Sequence, residues 1–395
     1  MSMTHDFDQP TRRRGSGCMK WDCDEAREAI PMWVADMDFR VAQPIIDALH
    51  RRVEHGVFGY TCVGDAYYDA VTNWFGRRHH WHIEREWMMY VPGVVPALSA
   101  VIKALSQPSD KVLLQTPVYN CFFSSVRNNG CTIAENRLIR EGDTYRMDFD
   151  DLERKTADKD THLLILCNPH NPAGRVWTAE EMQRLNSICM KNGVLVVADE
   201  IHCELVMPGH RFTPFASVSD ECLNNSITLN SPSKSFNTAG LQIANIICND
   251  PQKRQLIDRA ININEVCDVN PFGVEAAIAA YNESEYWIEQ LCEYLHDNYT
   301  YLKQYMAGHL PEVKITKLEG TYLVWADITP LGLTADQATE MLLKEGKVLV
   351  NSGTMYGEQA GEGFIRINIA CPRKQLEDAL RRICHTLNQY RWQQA

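Results

Sequence analysis

The chain reads as an α/β protein, with a large domain built on a mostly parallel, doubly wound sheet and a smaller α+β domain formed by its N- and C-terminal segments. Three observations carry this. Continuous, β-branched-rich apolar runs bounded by turn residues recur between Lys111 and Leu229, as buried parallel strands do. Helical patterns separate them, giving strand, helix, strand in order, with ligands expected at the carboxyl ends of the strands. After about Phe272 the pattern changes to a long helical stretch and then to a different unit.

In chain order, the expected strands of the large domain are Lys111 to Leu114, Thr161 to Cys167, Gly193 to Ala198 and Asn225 to Leu229. Thr178 to Asn192 is the clearest helix, because it opens on a Thr178-x-x-Glu181 capping box and closes before Gly193. A helical stretch from Phe272 through Tyr301 and Lys303 is expected to leave the large domain. Strands near Thr321 to Ile328, Val348 to Val350 and Phe364 to Ile369, with a final helix from Arg373, make the smaller unit. The residues before the first strand-helix alternation are expected to pack with it. The large domain then spans 49–288, and the small domain 1–48 and 289–395.

At 395 residues, 45% hydrophobic and 23% charged, the chain is long enough for two domains and is composed like an ordinary globular protein. A formal charge of -12 argues against nucleic acid or an anionic membrane as the main partner, and Arg12-Arg13-Arg14 is too short to change that. No apolar run approaches the roughly 20 residues of a bilayer span. Met1 to Asp8 lacks the apolar core of a secretory signal. The 14 cysteines are scattered, without a C-x-x-C pair or zinc-site spacing, so they read as reduced packing residues of a cytoplasmic protein, and no metal is expected.

Three motifs carry chemistry. Lys234 lies in Ser231-Pro232-Ser233-Lys234-Ser235-Phe236-Asn237, a small-residue turn that follows an apolar strand. A lysine desolvated there has a lowered pKa, which suits imine formation and proton transfer at a substrate α-carbon. Asp199 ends the run Val194-Leu195-Val196-Val197-Ala198, where a buried carboxylate needs a cationic partner. Asn171 lies in Asn168-Pro169-His170-Asn171-Pro172-Ala173-Gly174, a turn that two prolines and a glycine stiffen, with Asn168 read as its structural cap. Amine, acid and amide together make a pyridoxal phosphate site: the amine forms the Schiff base, the acid keeps the ring nitrogen protonated, and the amide meets the phenolic oxygen.

Other residues complete that expectation. Pro92-Gly93-Val94-Val95 puts a glycine turn before a helix, so the N–H groups of Val94 and Val95 form a phosphate cradle, with the Ser231 and Ser233 hydroxyls as further donors. Tyr119 follows a strand and is placed to stack on the cofactor. Arg366, within the apolar strand Phe364 to Ile369, calls for a fork-shaped anion such as a substrate α-carboxylate.

The ordered set NPHNPAG, ADEIH, SPSKSFN and RINIACPR resembles the fold-type I pyridoxal phosphate enzymes of the class I/II aminotransferase superfamily over nearly the whole chain. Pro31 to Phe39 and Phe58-Gly59-Tyr60-Thr61 resemble the MalY/PatB branch of cystathionine β-lyases, or C-S lyases. The resemblance implies Lys234 as the Schiff-base lysine, Asp199 as the ring-nitrogen partner, Asn171 as the phenolate donor, Tyr119 as the stacking ring and Arg366 as the carboxylate anchor. It also implies a homodimer whose Tyr60 reaches the neighbour's phosphate. His202 stands where transaminating relatives carry a cofactor-bonding tyrosine, which resembles the lyase branch, although a purely structural histidine fits either activity. Gln242 stands where many relatives have a phosphate-pairing arginine. The expected reaction is β-elimination from cystathionine or a cysteine S-conjugate, with Tyr119 or Lys234 protonating the leaving sulfur and residues near Trp33 to Phe39 and Asn351 to Tyr356 meeting its side chain. An aminotransferase shares every step up to the carbanion. A regulatory protein that has lost catalysis would lack the lysine or add a DNA-binding module, and neither mark is present.

Overall fold

Seven strands form the central sheet of the computed structural model, which describes residues 4–265 and 267–394. Met1 to Met3 of the N-terminal stretch and Ala395 lie outside the described residues. The spatial order is Met88–Val91, Ala244–Ile247, Ser226–Asn230, Leu195–Asp199, Thr161–Cys167, Lys111–Leu114 and Thr132–Glu135. All neighbours pair in parallel except Ala244–Ile247, which runs antiparallel to both of its neighbours. The expected mostly parallel sheet is therefore observed.

Alternate residues of each inner strand enter opposite cores, as a period of two requires. Val112, Leu114, Ile165 and Val197 pack on one side with Leu98 and Ile257, which belong to the helices Val94–Leu105 and Pro251–Asn262. Leu113, Leu164, Leu166, Val196 and Ala198 pack on the other with Met182 and Leu185 of the helix Ala179–Lys191. That helix carries the expected capping box: the Thr178 side chain accepts from the Glu181 N–H, and the Glu181 side chain accepts from the Thr178 N–H.

The long helical stretch after Phe272 is two helices, Pro271–Glu283 and Glu285–His309. They break at buried Ser284, whose backbone leaves helical geometry and whose hydroxyl donates to Ala279 O (3.0 Å). The strand expected from Thr321 begins at Leu323, because Thr321 adopts a positive φ and its hydroxyl accepts the Leu323 N–H. Lys314–Ile315, Leu323–Asp327, Phe364–Asn368 and Asn351–Ser352 form a four-stranded antiparallel sheet. Val348–Leu349 instead pairs in parallel with Ile30–Pro31, tying the N-terminal segment to the last hundred residues in sequence.

Candidate active site

The sheet's carboxyl edge gathers the expected side chains. Asp199 is the last residue of its strand, and Lys234 sits in the short helix Pro232–Ser235 just beyond Ser226–Asn230. Asn171 follows Thr161–Cys167, and Tyr119 follows Lys111–Leu114. Gly174 closes the Asn171 turn at φ +71, and a Cβ there would lie 3.0 Å from the Leu318 side chain and 3.2 Å from Lys317 O, so only glycine fits without displacement. Asn168 does cap this turn: its Oδ1 accepts from the Trp177 N–H (3.1 Å). One cavity of about 200 Å³ is lined by Tyr119, Asn171, Asp199, His202, Ser233 and Lys234, together with Val94 and Val95 at the start of the helix Val94–Leu105. Gln242 lines it too.

Burial sets the electrostatics. Asp199 is 4% exposed, and burial raises its carboxyl to about 7 against the N–H donated by Ile201 (3.1 Å) and the charge of Lys234. Burial likewise lowers the Lys234 amine to about 8; the Asp36 charge opposes that fall, Arg366 adds to it and Asp199 opposes it. The Lys234 Nζ donates to Ala35 O at 2.6 Å, and the Tyr322 hydroxyl donates to the same oxygen at 2.9 Å. His202 is brought down to about 3 by burial and by the charges of Lys234 and Arg366, so it is neutral, and its Nδ1 has no hydrogen-bond partner among the described residues. Burial also pushes the Tyr119 phenol up, keeping it protonated.

Arg366 reaches from the strand Phe364–Asn368 to Asn171, which lines the cavity. Its Nη1 donates to Asn171 Oδ1 (3.1 Å), its Nη2 donates to Trp33 O (2.7 Å), and its guanidinium lies 4.8 Å from the centre of the Tyr356 ring. At 3% exposure and with Nε unpartnered, it is a buried cation whose hydrogen-bond acceptors among the described residues are an amide and a backbone carbonyl.

Three expected residues do not line the cavity: Arg366, which reaches it through Asn171, and Ser231 and Tyr60. Ser231 is turned inward: its Oγ accepts the Ser233 N–H (3.0 Å) and lies 2.6 Å from Ile243 O, so it caps the short helix that carries Lys234, while Ser233 lines the cavity. Tyr60 is 99% exposed and lies with Phe58, Thr61 and Asp268 in a separate surface depression of the same chain. Sequence reasoning missed the backbone carbonyls of Trp33 and Ala35, the carboxylate of Asp36 and the hydroxyl of Tyr322. The run Pro31 to Phe39 pointed at that segment, but a carbonyl oxygen leaves no mark on residue identity.

These groups fit pyridoxal phosphate. A buried carboxyl in no ion pair among the described residues, an orphaned neutral imidazole and the free N–H groups of Val94 and Val95 at a helix start match a ring nitrogen, a phenolic oxygen and a phosphate. Among the described residues, no group of three or more His, Cys, Asp or Glu could hold a metal, and no helix is long and apolar enough to cross a membrane.

Fold and site together define a known class. The family model for class I and II aminotransferases matches residues 35–383, and the chain belongs to that family. Cystathionine beta-lyase PatB of Bacillus subtilis (strain 168) is 42% identical over 381 residues, covering 95% of this chain and 98% of its own. Protein MalY of Escherichia coli (strain K12) is 32% identical over 378 residues, covering 94% of this chain and 96% of its own. Among solved structures, cystalysin from Treponema denticola, which contains a pyridoxal 5'-phosphate cofactor, matches with a TM-score of 0.95 at 32% identity over 98% of this chain and 100% of that one.

Proposed function

We propose that this chain is a pyridoxal phosphate-dependent carbon-sulfur lyase, catalysing β-elimination from L-cystathionine or related cysteine S-conjugates to a thiol, pyruvate and ammonia. The observation that carries the reading is the meeting of Lys234, Asp199 and Asn171 around one cavity at the carboxyl edge of the sheet, with Arg366 bonded to Asn171 behind it. The likeness to PatB supports the lyase over the aminotransferase.

When bound, the cofactor supplies an electron sink for the pair left on the substrate α-carbon. The protein's residues do the rest. Lys234 is the attachment point and, once freed, takes the α-proton; an amine near 8 is available as a base around neutral pH. Asp199 holds the proton on the ring nitrogen. Asn171 has its Oδ1 occupied by Arg366, which leaves its Nδ2 as a donor for the phenolic oxygen, beside His202. Val94, Val95 and Ser233 line the cavity and would hold the phosphate, and Tyr119 would cover the ring. Arg366 receives the substrate carboxylate. Tyr119 and Lys234 are the two candidate proton donors for the leaving sulfur.

The proposal includes a homodimer in which Tyr60, exposed together with Val57 and Phe58, completes the partner's phosphate site. Residues 49–288 then form the cofactor-binding domain, and 1–48 with 289–395 form the smaller one. The 14 unpaired cysteines support a reducing, cytoplasmic setting.

The test is pyruvate and thiol release from cystathionine by the cofactor-loaded protein, run with and without a 2-oxo acid. Equal amounts of pyruvate and thiol without the acceptor are expected. Amino-group transfer only when the acceptor is present would replace the lyase with an aminotransferase.

A further inference from the structure

The N-terminal segment that passes over the cavity is held by a group of four charges, of which Lys20 and Asp38 are buried and Arg13 and Asp36 partly exposed. Lys20 is 1% exposed; its Nζ lies 3.1 Å from Asp38 Oδ2 and 3.6 Å from Asp36 Oδ1, and donates to Asp36 O at 3.2 Å. Arg13 bridges the same two acids through Asp36 Oδ2 (2.6 Å) and Asp38 Oδ1 (2.7 Å). Trp21 Nε1 and Gln375 Nε2 each donate to Asp38 at 2.8 Å. Two cations and two carboxylates balance, which lets the Lys20–Asp38 pair stay buried. Their effect falls on the residue just before Asp36: Ala35 O accepts from both Lys234 Nζ and the Tyr322 hydroxyl. The Asn368 side chain fixes both flanks by donating to Val34 O and Asp36 O.

We propose that Asp36 is a positioning residue for Lys234: clamped between Arg13 and Lys20, it fixes the Ala35 carbonyl as the docking acceptor for the lysine's ε-amine whenever that amine is not joined to the cofactor, and its carboxylate sets the charge that the amine meets there. The inference rests on the proposed role of Lys234. A neutral amine has two N–H bonds and one lone pair, so an N–H pinned on Ala35 O restricts where the lone pair can point while the amine waits to take a proton. Once protonated, the amine keeps that acceptor and gains the attraction of Asp36. The other groups facing it are Asp199, Arg366, Cys121, His202 and Tyr322.

The test is competitive acetylation of the cofactor-free protein with acetic anhydride across pH, reading the Lys234 peptide by mass spectrometry to obtain its apparent pKa. Asp36→Asn is expected to lower that value by roughly 0.5–1 pH unit, and Arg13→Gln, which leaves the carboxylate less neutralised, to raise it by a similar amount. Asp36→Glu is expected to return it toward the parent. Loosening of the segment would admit water and raise the value in both variants, so like-signed shifts, or none, overturn the proposal; the fall expected in Asp36→Asn is the deciding sign, and Asp36→Ala, which also removes the carboxylate, replaces it if the amide variant does not fold. Because no cofactor or substrate is used, failure of the lyase reading appears separately, as absent pyruvate release.

Discussion

Replacing Asp199 by Asn should stabilise the cofactor-free protein, and by an amount that depends on pH. The two side chains have the same shape, and the amide oxygen keeps the N–H donated by Ile201 (3.1 Å). In the unfolded chain the carboxyl titrates at its ordinary 3.8, whereas burial raises it to about 7 in the fold. Between these values the folded protein holds a proton that the unfolded chain has released, so folding loses about 1.4 kcal/mol per pH unit. Over the interval from 3.8 to about 7 this accumulates to about 4 kcal/mol, and above it the penalty is constant. Asparagine does not titrate. Urea unfolding of parent and variant, both cofactor-free, should therefore give a stability difference that grows by about 4 kcal/mol in the variant's favour from about pH 4 to about pH 8. Any cost of the new amide hydrogens is a fixed offset that leaves the growth intact. Pyridoxal phosphate should stabilise the parent more than the variant, since the ring nitrogen supplies the missing cation. A difference that does not vary with pH would refute the reasoning, because Asp199 would then be ionised alike in both states.

Lys234→Ala should lose β-elimination by roughly 10³-fold or more and, after borohydride treatment, retain no covalently bound cofactor by mass spectrometry. Arg366→Lys should raise KM for cystathionine by roughly 10- to 100-fold in steady-state kinetics, since an ammonium cannot reproduce the fork that now holds Asn171 and Trp33. Glu204 accepts from Trp74 Nε1 (2.7 Å) and Arg78 Nε (3.0 Å) and lies 2.7 Å from His79 Nε2; against the cost of burial, these partners hold its carboxyl down at about 2. With the folded value below the unfolded 4.5, its stabilisation is complete above 4.5 and lost as pH falls to about 2, so Glu204→Gln should cost about 3 kcal/mol at neutral pH in urea unfolding, a gap that narrows below pH 4.5.

The sequence was most legible where burial on both faces forced unbroken apolar runs: Thr161–Cys167, Leu195–Asp199 and Ser226–Asn230 all lie inside the sheet. The outermost strands, Met88–Val91 and Thr132–Glu135, pair on one side only and alternate less clearly. Ala244–Ile247 was missed for another reason. Asn245 interrupts its apolar run and is buried because its amide bonds Tyr67 and Asn230, partners that only the tertiary structure supplies. In the site, Lys234, Asp199 and Asn171 sit in short motifs whose neighbours announce them. Ala35 O and Trp33 O act through backbone atoms on side chains 199 and 333 residues away, and no local pattern encodes such a contact.

The pairing of Ile30–Pro31 with Val348–Leu349 has a consequence for how the protein is made. During synthesis, residue 30 must wait for residue 348, an interval of roughly 15–60 s at 5–20 residues per second. The central sheet is finished at Ile247, so its strands can meet while the ribosome is still adding the rest. The carbonyls that receive Lys234 and Arg366 come into place only afterwards, when Asn368 has arrived to hold Val34 and Asp36. A nascent chain can thus carry a folded sheet edge without a finished catalytic pocket, and elimination cannot begin until translation is nearly over.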